Sequence, residues 1–184
     1  MEGSSRVHGV ISFLKFALIA FLIATPFRYF VAQPFIVSGA SMEPHFSAHE
    51  YLVVDRLTYR FEKPERGDVI VFRYPLDPST HFLKRIVGLP GEEVTIRGPD
   101  ITITNSEGSV TLDESYASRE IMDDSRITLA ADEYFVLGDN RAHSTDSRTW
   151  GPLQEKFILG RAFLRLFPPQ TASFMPGDAS QHDE

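Results

Sequence analysis

The 184-residue chain contains no cysteine. This absence excludes a disulfide scaffold, a thiolate zinc site and a cysteine nucleophile, although it does not fix the compartment in which the protein works. Basic residues are fewer than acidic ones: the chain has 18 lysines and arginines and 25 aspartates and glutamates, which give a formal net charge of -7. A nucleic-acid-binding protein normally carries a basic face, so we expect no nucleic-acid partner.

Sequence motifs for cofactors are missing as well. His45, His49 and His81 are present, but their spacing matches neither HExxH nor another metal-ligand pattern. No P-loop and no dinucleotide-binding glycine pattern occurs. A Ser-His-Asp triad could be drawn from the side chains available, yet no spacing supports one. The sequence therefore predicts neither a metal ion nor any other cofactor.

The N-terminal segment is the most biased part of the chain. Residues 10–24 carry a single charge, Lys15, whose long stem lets the ammonium reach an interface. About 20 largely apolar residues are enough to cross a bilayer as a helix. We predict a short cytoplasmic N-terminus at residues 1–8 and a transmembrane anchor over residues 9–31. A cleaved signal peptide is disfavoured because Pro-Phe-Arg at 26–28 replaces the small residues of a cleavage site, and an interfacial or core helix is a further alternative.

Beyond the anchor, the sequence predicts a mainly β domain over residues 32–167. The predicted strands are rich in β-branched and aromatic residues and cover Tyr51–Asp55, Asp68–Tyr74, His81–Val87, Glu93–Ile96, Ile101–Thr104, Val110–Leu112 and Tyr134–Leu137. A hairpin turn is predicted at Asn105–Gly108, whereas Phe157–Phe167 fits a strand or a helix. No alternating helices occur, so a parallel sheet is not expected. Residues 168–184 are polar and read as a disordered tail.

Ser41 is a candidate nucleophile. It lies in Gly39–Pro44, a short segment in which glycine and proline constrain the backbone and expose the serine hydroxyl. Most serines in turns only bond to their own backbone, so the segment alone is weak evidence for catalysis.

Lys84 is a candidate base. On a strand, Phe82, Lys84 and Ile86 point to the same face, where burial lowers the pKa of the amine from its ordinary value of about 10.4. A neutral lysine can take the proton of a serine hydroxyl. The alternative is a lysine at a sheet edge with its ammonium in solvent.

A third polar segment, Gly138–Arg148, directly follows a predicted apolar strand. Its acids, arginines and serines indicate a fixed hydrogen-bond network with bidentate ion pairs, although an ordinary polar loop fits as well.

In this order the segments resemble the bacterial type I signal peptidases, also called leader peptidases. The resemblance runs from Phe35 to about Phe167, and the matching segments are Gly39–Pro44, Arg66–Phe72, Lys84–Glu92 and Gly138–Gly151. It implies an antiparallel β-sheet catalytic domain of signal-peptidase type behind one N-terminal transmembrane helix. It also implies a variable inserted β region, which would here be residues 93–133.

The resemblance assigns roles to single residues. It implies Ser41 as the acyl-forming nucleophile, Lys84 as general base and Ser144 as the serine that orients the lysine amine. The Ser41 backbone N–H would be one oxyanion donor, whereas Gly39 replaces a serine that supplies a second donor in some members. The residues expected to hold the site together are Arg85, Asp139, Asp146 and Arg148. Those expected to line the substrate pocket are Val37, Met42, Phe82 and Leu83.

The implied activity is that of a membrane-bound serine endopeptidase. Such an enzyme removes signal peptides from exported preproteins after a small-x-small motif, without a cofactor. It would lie in the cytoplasmic (inner) membrane as a single-pass protein with its catalytic domain on the extracytoplasmic side. Alternatives are a specialised Ser-Lys peptidase for pilin or conjugative-transfer maturation and a non-enzymatic, membrane-tethered β domain that binds a partner. A self-cleaving repressor would need a DNA-binding N-terminal region in place of the apolar segment.

Overall fold

The computed structural model describes residues 13–22 and 32–177. Residues 13–22 are α-helical (α1), and their large apolar side chains are exposed. Within the described ranges, no helix is both long enough and apolar enough to cross a membrane. The predicted anchor at 9–31 lies only in part within the described residues, and the predicted cytoplasmic N-terminus at 1–8 lies outside them.

Antiparallel strands make up most of the described chain. They are β1 Ala32–Ile36, β2 Tyr51–Asp55, β3 Val69–Tyr74, β4 Asp77–Gly88, β5 Glu93–Gly98, β6 Asp100–Asn105, β7 Gly108–Thr111, β8 Met122–Thr128, β9 Glu133–Leu137, β10 Leu153–Gln154, β11 Ile158–Phe167 and β12 Ser173–Phe174. The short helices are a single α-helical turn (α2, Ser147–Trp150) and 3-10 turns at Thr58–Arg60, Arg141–His143, Glu155–Phe157 and Pro169–Thr171.

The strands form two sheets. The larger sheet has the order β1-β2-β11-β3-β4-β9-β10, with β12 paired to β11. The smaller sheet has the order β7-β6-β5-β8 and lies within residues 93–133, the region that the resemblance marks as an insertion. Pairing in both sheets is antiparallel, which confirms the predicted mainly β class.

Strand β4 belongs to two different packing clusters. Val87 packs with the inner face of the smaller sheet, whereas Ile86 packs with residues of β3 and β9. Consecutive strand residues point to opposite faces, so one strand serves both clusters. Burial of such a side chain stabilises the fold by about 1.5–3 kcal/mol. The strand that carries Lys84 and Arg85 is therefore fixed on both sides.

The end of the described chain corrects one expectation. Residues 168–177, predicted to belong to a disordered tail, pair β12 with β11 and place the Phe174 ring 4.5 Å from that of Phe163. The carbonyl of Gly177 also accepts a hydrogen bond from the Arg85 guanidinium. The polar composition of this short segment did not predict these contacts, because a few apolar side chains and backbone groups are enough to hold it in place. Residues 178–184 lie outside the described part.

Candidate active site

The Ser41 loop lies between β1 and β2 and is held by a turn that follows β9. The backbone N–H of Asn140 donates to the Ser41 carbonyl at 3.1 Å, and Asn140 Nδ2 donates to the Ala40 carbonyl at 3.1 Å. Gly138 permits this close approach, because a methyl group at its Cα would overlap the Ser41 carbonyl oxygen and Ser144 Oγ. No role was predicted for Asn140, because its place beside Ser41 depends on contacts between residues about 100 positions apart along the chain.

Lys84 and Ser41 are in direct side-chain contact. Lys84 Nζ lies 2.7 Å from Ser41 Oγ and donates a second hydrogen bond to the Leu83 carbonyl at 3.0 Å. Lys84 is 3% exposed, and its Nζ lies 5.2 Å from the centre of the Phe82 ring. The distance between Nζ and Oγ is short enough for direct proton transfer between the two groups.

The surroundings of Lys84 make its amine a usable base. Burial lowers the pKa of Lys84 to about 8, because a charged ammonium is poorly solvated there. The carboxylates of Asp146 and Asp139 oppose this shift, and the Arg148 guanidinium adds to it. A pKa near 8 leaves part of the lysine population neutral at ordinary pH, as a general base requires.

Ser144 lies close to the site without the expected hydrogen bond. Its Oγ is buried near Gly138 and has no hydrogen-bond partner among the described residues. Lys84 Nζ instead points to Ser41 Oγ and the Leu83 carbonyl. The orienting contact between Ser144 and Lys84 is therefore not made in this geometry.

Arg85, the residue after Lys84, forms a buried ion pair with Asp139. Arg85 Nε and Nη2 donate to the two carboxylate oxygens of Asp139 at 2.9 and 2.6 Å, and both side chains are fully buried. Burial alone would raise the pKa of Asp139, but hydrogen bonds from His45 and Arg85 hold it below its ordinary value. The attraction between the two charges and their hydrogen bonds offset the free-energy cost of burial, whereas a single unpaired charge would be strongly destabilising there.

A second ion pair stabilises the loop that contains Ser144. Arg148 Nε and Nη2 donate to the two oxygens of Asp146, each at 2.8 Å, and Arg148 Nη2 also donates to the Arg141 carbonyl at 2.8 Å. Asp146 additionally accepts from the backbone N–H of Gly138 at 3.1 Å. The four residues that the resemblance implied as supports thus form two bidentate ion pairs, Arg85–Asp139 and Arg148–Asp146.

A cleft of about 260 Å³ opens onto Ser41 and Lys84. The structure places all four proposed pocket residues in its wall: Val37, Met42, Phe82 and Leu83. Further lining residues without a predicted role are Phe35, Ile36, His81, His143 and Thr145. No sequence signal marked these, because they come together only when β1, β4 and the loop after β9 are assembled. The wall therefore combines apolar side chains with polar groups that include the Lys84 amine.

Sequence comparison with known proteins identifies the family. The sequence profile of the family described as "Signal peptidase, peptidase S26" matches residues 10–167. "Probable signal peptidase I-2" of Synechocystis is 34% identical over 174 residues, which are 91% of this chain and 78% of the relative. "Signal peptidase I" of Leptolyngbya laminosa is 36% identical over 156 residues, covering 80% of this chain and 74% of the relative. "Signal peptidase I P" of Bacillus subtilis subsp. natto is 32% identical and covers 89% of this chain and 92% of the relative. The chain belongs to the signal peptidase family, peptidase S26.

Proposed function

We propose that this protein removes signal peptides from exported preproteins through an acyl-enzyme on Ser41, with Lys84 as general base. Membership of the signal peptidase family supports the reaction class. The observation that carries the residue assignment is the 2.7 Å distance between Lys84 Nζ and Ser41 Oγ in a buried setting. A buried, partly neutral amine next to a serine hydroxyl forms a nucleophile and base without histidine.

The proposed reaction has two chemical steps. Neutral Lys84 takes the proton of the Ser41 hydroxyl while Oγ attacks the scissile carbonyl carbon, and the resulting ammonium then protonates the leaving amine. The new ester joins the signal peptide to Ser41. Lys84, again neutral, takes a proton from water, whose oxygen attacks the ester carbon. The expelled Ser41 oxygen regains a proton from Lys84, which restores both groups.

The oxyanion of each tetrahedral intermediate needs hydrogen-bond donors. We assign one donor to the backbone N–H of Ser41. Gly39, with φ of +83°, has no side chain to supply another. Loss of a single donor typically costs about 2.7–4 kcal/mol of transition-state stabilisation, so a second backbone N–H of this loop is expected to contribute.

Ser144 is proposed to orient the Lys84 amine. Support comes from its buried hydroxyl, which lacks a hydrogen-bond partner among the described residues. A buried hydroxyl without a partner is unfavourable, so a rotation that brings it to the neutral amine is expected to lower the free energy. The orienting bond would then form once Lys84 loses its proton.

The substrate is proposed to bind as an extended segment with small side chains. β1 is an edge strand of the larger sheet, and its residues Phe35 and Ile36 line the cleft beside Ser41. An extended peptide can add to such an edge through backbone hydrogen bonds while alternate side chains enter pockets. The limited volume and the walls of Val37, Phe82 and Leu83 favour Ala-sized residues at the first and third positions before the cut.

The enzyme is proposed to be anchored in the cytoplasmic membrane by residues 9–31, with the catalytic domain on the extracytoplasmic side. The apolar sequence of this segment supports the proposal. Alkaline extraction of membranes tests it. The full chain is expected to stay with the lipid, and a variant that lacks residues 1–31 is expected in the soluble fraction.

Chemical labelling tests the nucleophile. A serine-directed acylating probe is expected to label Ser41 in the wild type, as peptide mass spectrometry shows, and not to label Ser41→Ala at all. Ser47, exposed in the same loop, provides a matched control, so Ser47→Ala is expected to label normally. Equal labelling of wild type and Ser41→Ala would rule out Ser41 as the nucleophile.

A further inference from the structure

The connection between β7 and β8, residues 112–121, extends from the smaller sheet to the turn Asp139–Arg141. Its Glu114 carboxylate accepts two hydrogen bonds from Arg141, at 2.8 Å from Nη1 and 2.7 Å from Nη2. The two side chains are only 10% and 3% exposed. The Tyr116 hydroxyl donates to Glu114 Oε1 at 2.9 Å and helps to fix the carboxylate. Such a bidentate, nearly buried pair holds both segments in one relative position.

Ser118 binds the same turn at its backbone. Its N–H donates to the Asp139 carbonyl at 2.8 Å, and its Oγ accepts from the Arg141 N–H at 2.8 Å. The Tyr116 ring centre lies 4.3 Å from the guanidinium carbon of Arg85, the residue that pairs with Asp139. The connection therefore contacts both ends of the turn, by side chains and by backbone.

The middle residue of the turn faces the nucleophile instead. Asn140 donates its backbone N–H to the Ser41 carbonyl and its side-chain amide to the Ala40 carbonyl. Three consecutive residues thus link the smaller sheet to the Ser41 loop: the outer two bind the connection and the inner one binds the loop. A shift of the turn would be transmitted to Ser41 through two hydrogen bonds.

We propose that the β7–β8 connection positions the nucleophile, with Glu114 and Ser118 as positioning residues. They hold the Asp139–Arg141 turn so that Asn140 keeps Ser41 within reach of Lys84, and they touch neither substrate nor reacting atoms. The inference rests on the proposed roles of Ser41 and Lys84. It assigns the smaller sheet a part in catalysis although that sheet contributes no residue to the reacting pair.

Steady-state kinetics with a preprotein in detergent test this proposal. Ser118→Ala and Glu114→Gln are expected to lower kcat about tenfold and to change KM by less than about twofold, because misplacement of a reacting group by about 1 Å can cost up to 10²-fold in rate. Ser118→Thr keeps the hydroxyl and is expected to restore most of the rate. Arg119→Ala is the matched control, since Arg119 lies in the same connection but forms an exposed pair with Asp100.

Ser41→Ala is assayed beside these variants, and every rate is divided by the folded fraction obtained from thermal unfolding. Normal kcat per folded molecule in both Ser118→Ala and Glu114→Gln, with Ser41→Ala inactive, would overturn the positioning role alone. A rise in KM with unchanged kcat would overturn it too, because it would point to substrate binding. Full activity of Ser41→Ala would instead overturn the proposed mechanism. Reduced kcat in both variants, with Ser118→Thr and Arg119→Ala close to wild type, supports the proposal.

Discussion

The pH dependence of kcat/KM follows from the burial of Lys84. As the proposed general base, Lys84 must be neutral to act, and burial lowers its pKa from an ordinary 10.5 to about 8. The rate should therefore rise with pH and level off above the pKa of the free enzyme's essential base.

The expected size of the rise separates a buried lysine from an ordinary one. With a pKa of about 8, the neutral fraction grows from about 9% at pH 7 to about 91% at pH 9, a rise of about tenfold. With an ordinary pKa of 10.5, the same interval would give a rise of about 100-fold, and the rate would still climb at pH 10. The two profiles differ both in slope and in plateau.

The assay is cleavage of a peptide substrate without titratable groups near the cut, measured in detergent from pH 6 to 10. Lys156→Met serves as control, because Lys156 also lies 5.2 Å from an aromatic ring, that of Phe157, but is exposed. Its profile is expected to match the wild type. A flat wild-type profile between pH 7 and 9, or a rise without a plateau up to pH 10, would refute the assignment of a buried Lys84 as base.

Three further predictions concern the same site. Lys84→Met is expected to be inactive but more stable than the wild type at pH 7 by up to about 3 kcal/mol. Chemical denaturation should show this advantage shrinking as pH rises from about 8 towards 10.5, because in that range the folded wild type loses a proton that its unfolded chain still holds. Lower stability of the variant at pH 7 would contradict this. Ser144→Ala is expected to lower kcat about tenfold with little change in KM, since the variant cannot form the hydrogen bond proposed to orient Lys84 and loses no substrate contact. An unchanged kcat would contradict the orienting role. Gly138→Ala is expected to lower kcat/KM by about 10²-fold, because the added methyl would collide with Ser144 Oγ and the Ser41 carbonyl oxygen and displace Ser41. Wild-type kinetics of this variant would contradict the close packing of Gly138 against the Ser41 loop.

Much of the larger sheet was predictable because its strands combine β-branched and aromatic residues with short turns. Strands β1 and β8, which were not predicted, lack this composition for physical reasons. β8 reads Met-Asp-Asp-Ser-Arg-Ile-Thr and lies at the edge of its sheet with four consecutive exposed side chains, so it needs little apolar content. β1 contains Pro34, which is tolerated because the strand lies at a sheet edge.

The site divides in a similar way. The order of the matching segments, through the family resemblance, was enough to name Ser41, Lys84 and the four cleft residues that the structure brings together. The Glu114–Arg141 pair was not predicted, since it joins residues 27 positions apart that meet only when the smaller sheet packs against the turn after β9. The direction of the Ser144 hydroxyl was also beyond sequence reasoning, because a rotation about one bond decides its partner.

Cleavage of a purified preprotein in detergent by wild type, Ser41→Ala and Lys84→Ala tests the central claim most directly. Circular dichroism and thermal unfolding check that all three proteins are folded. The wild type is expected to release the mature protein by a cut after a small-x-small sequence, and both variants are expected to leave the preprotein intact. Processing at the wild-type rate by a folded Ser41→Ala or Lys84→Ala protein would contradict the Ser41–Lys84 mechanism.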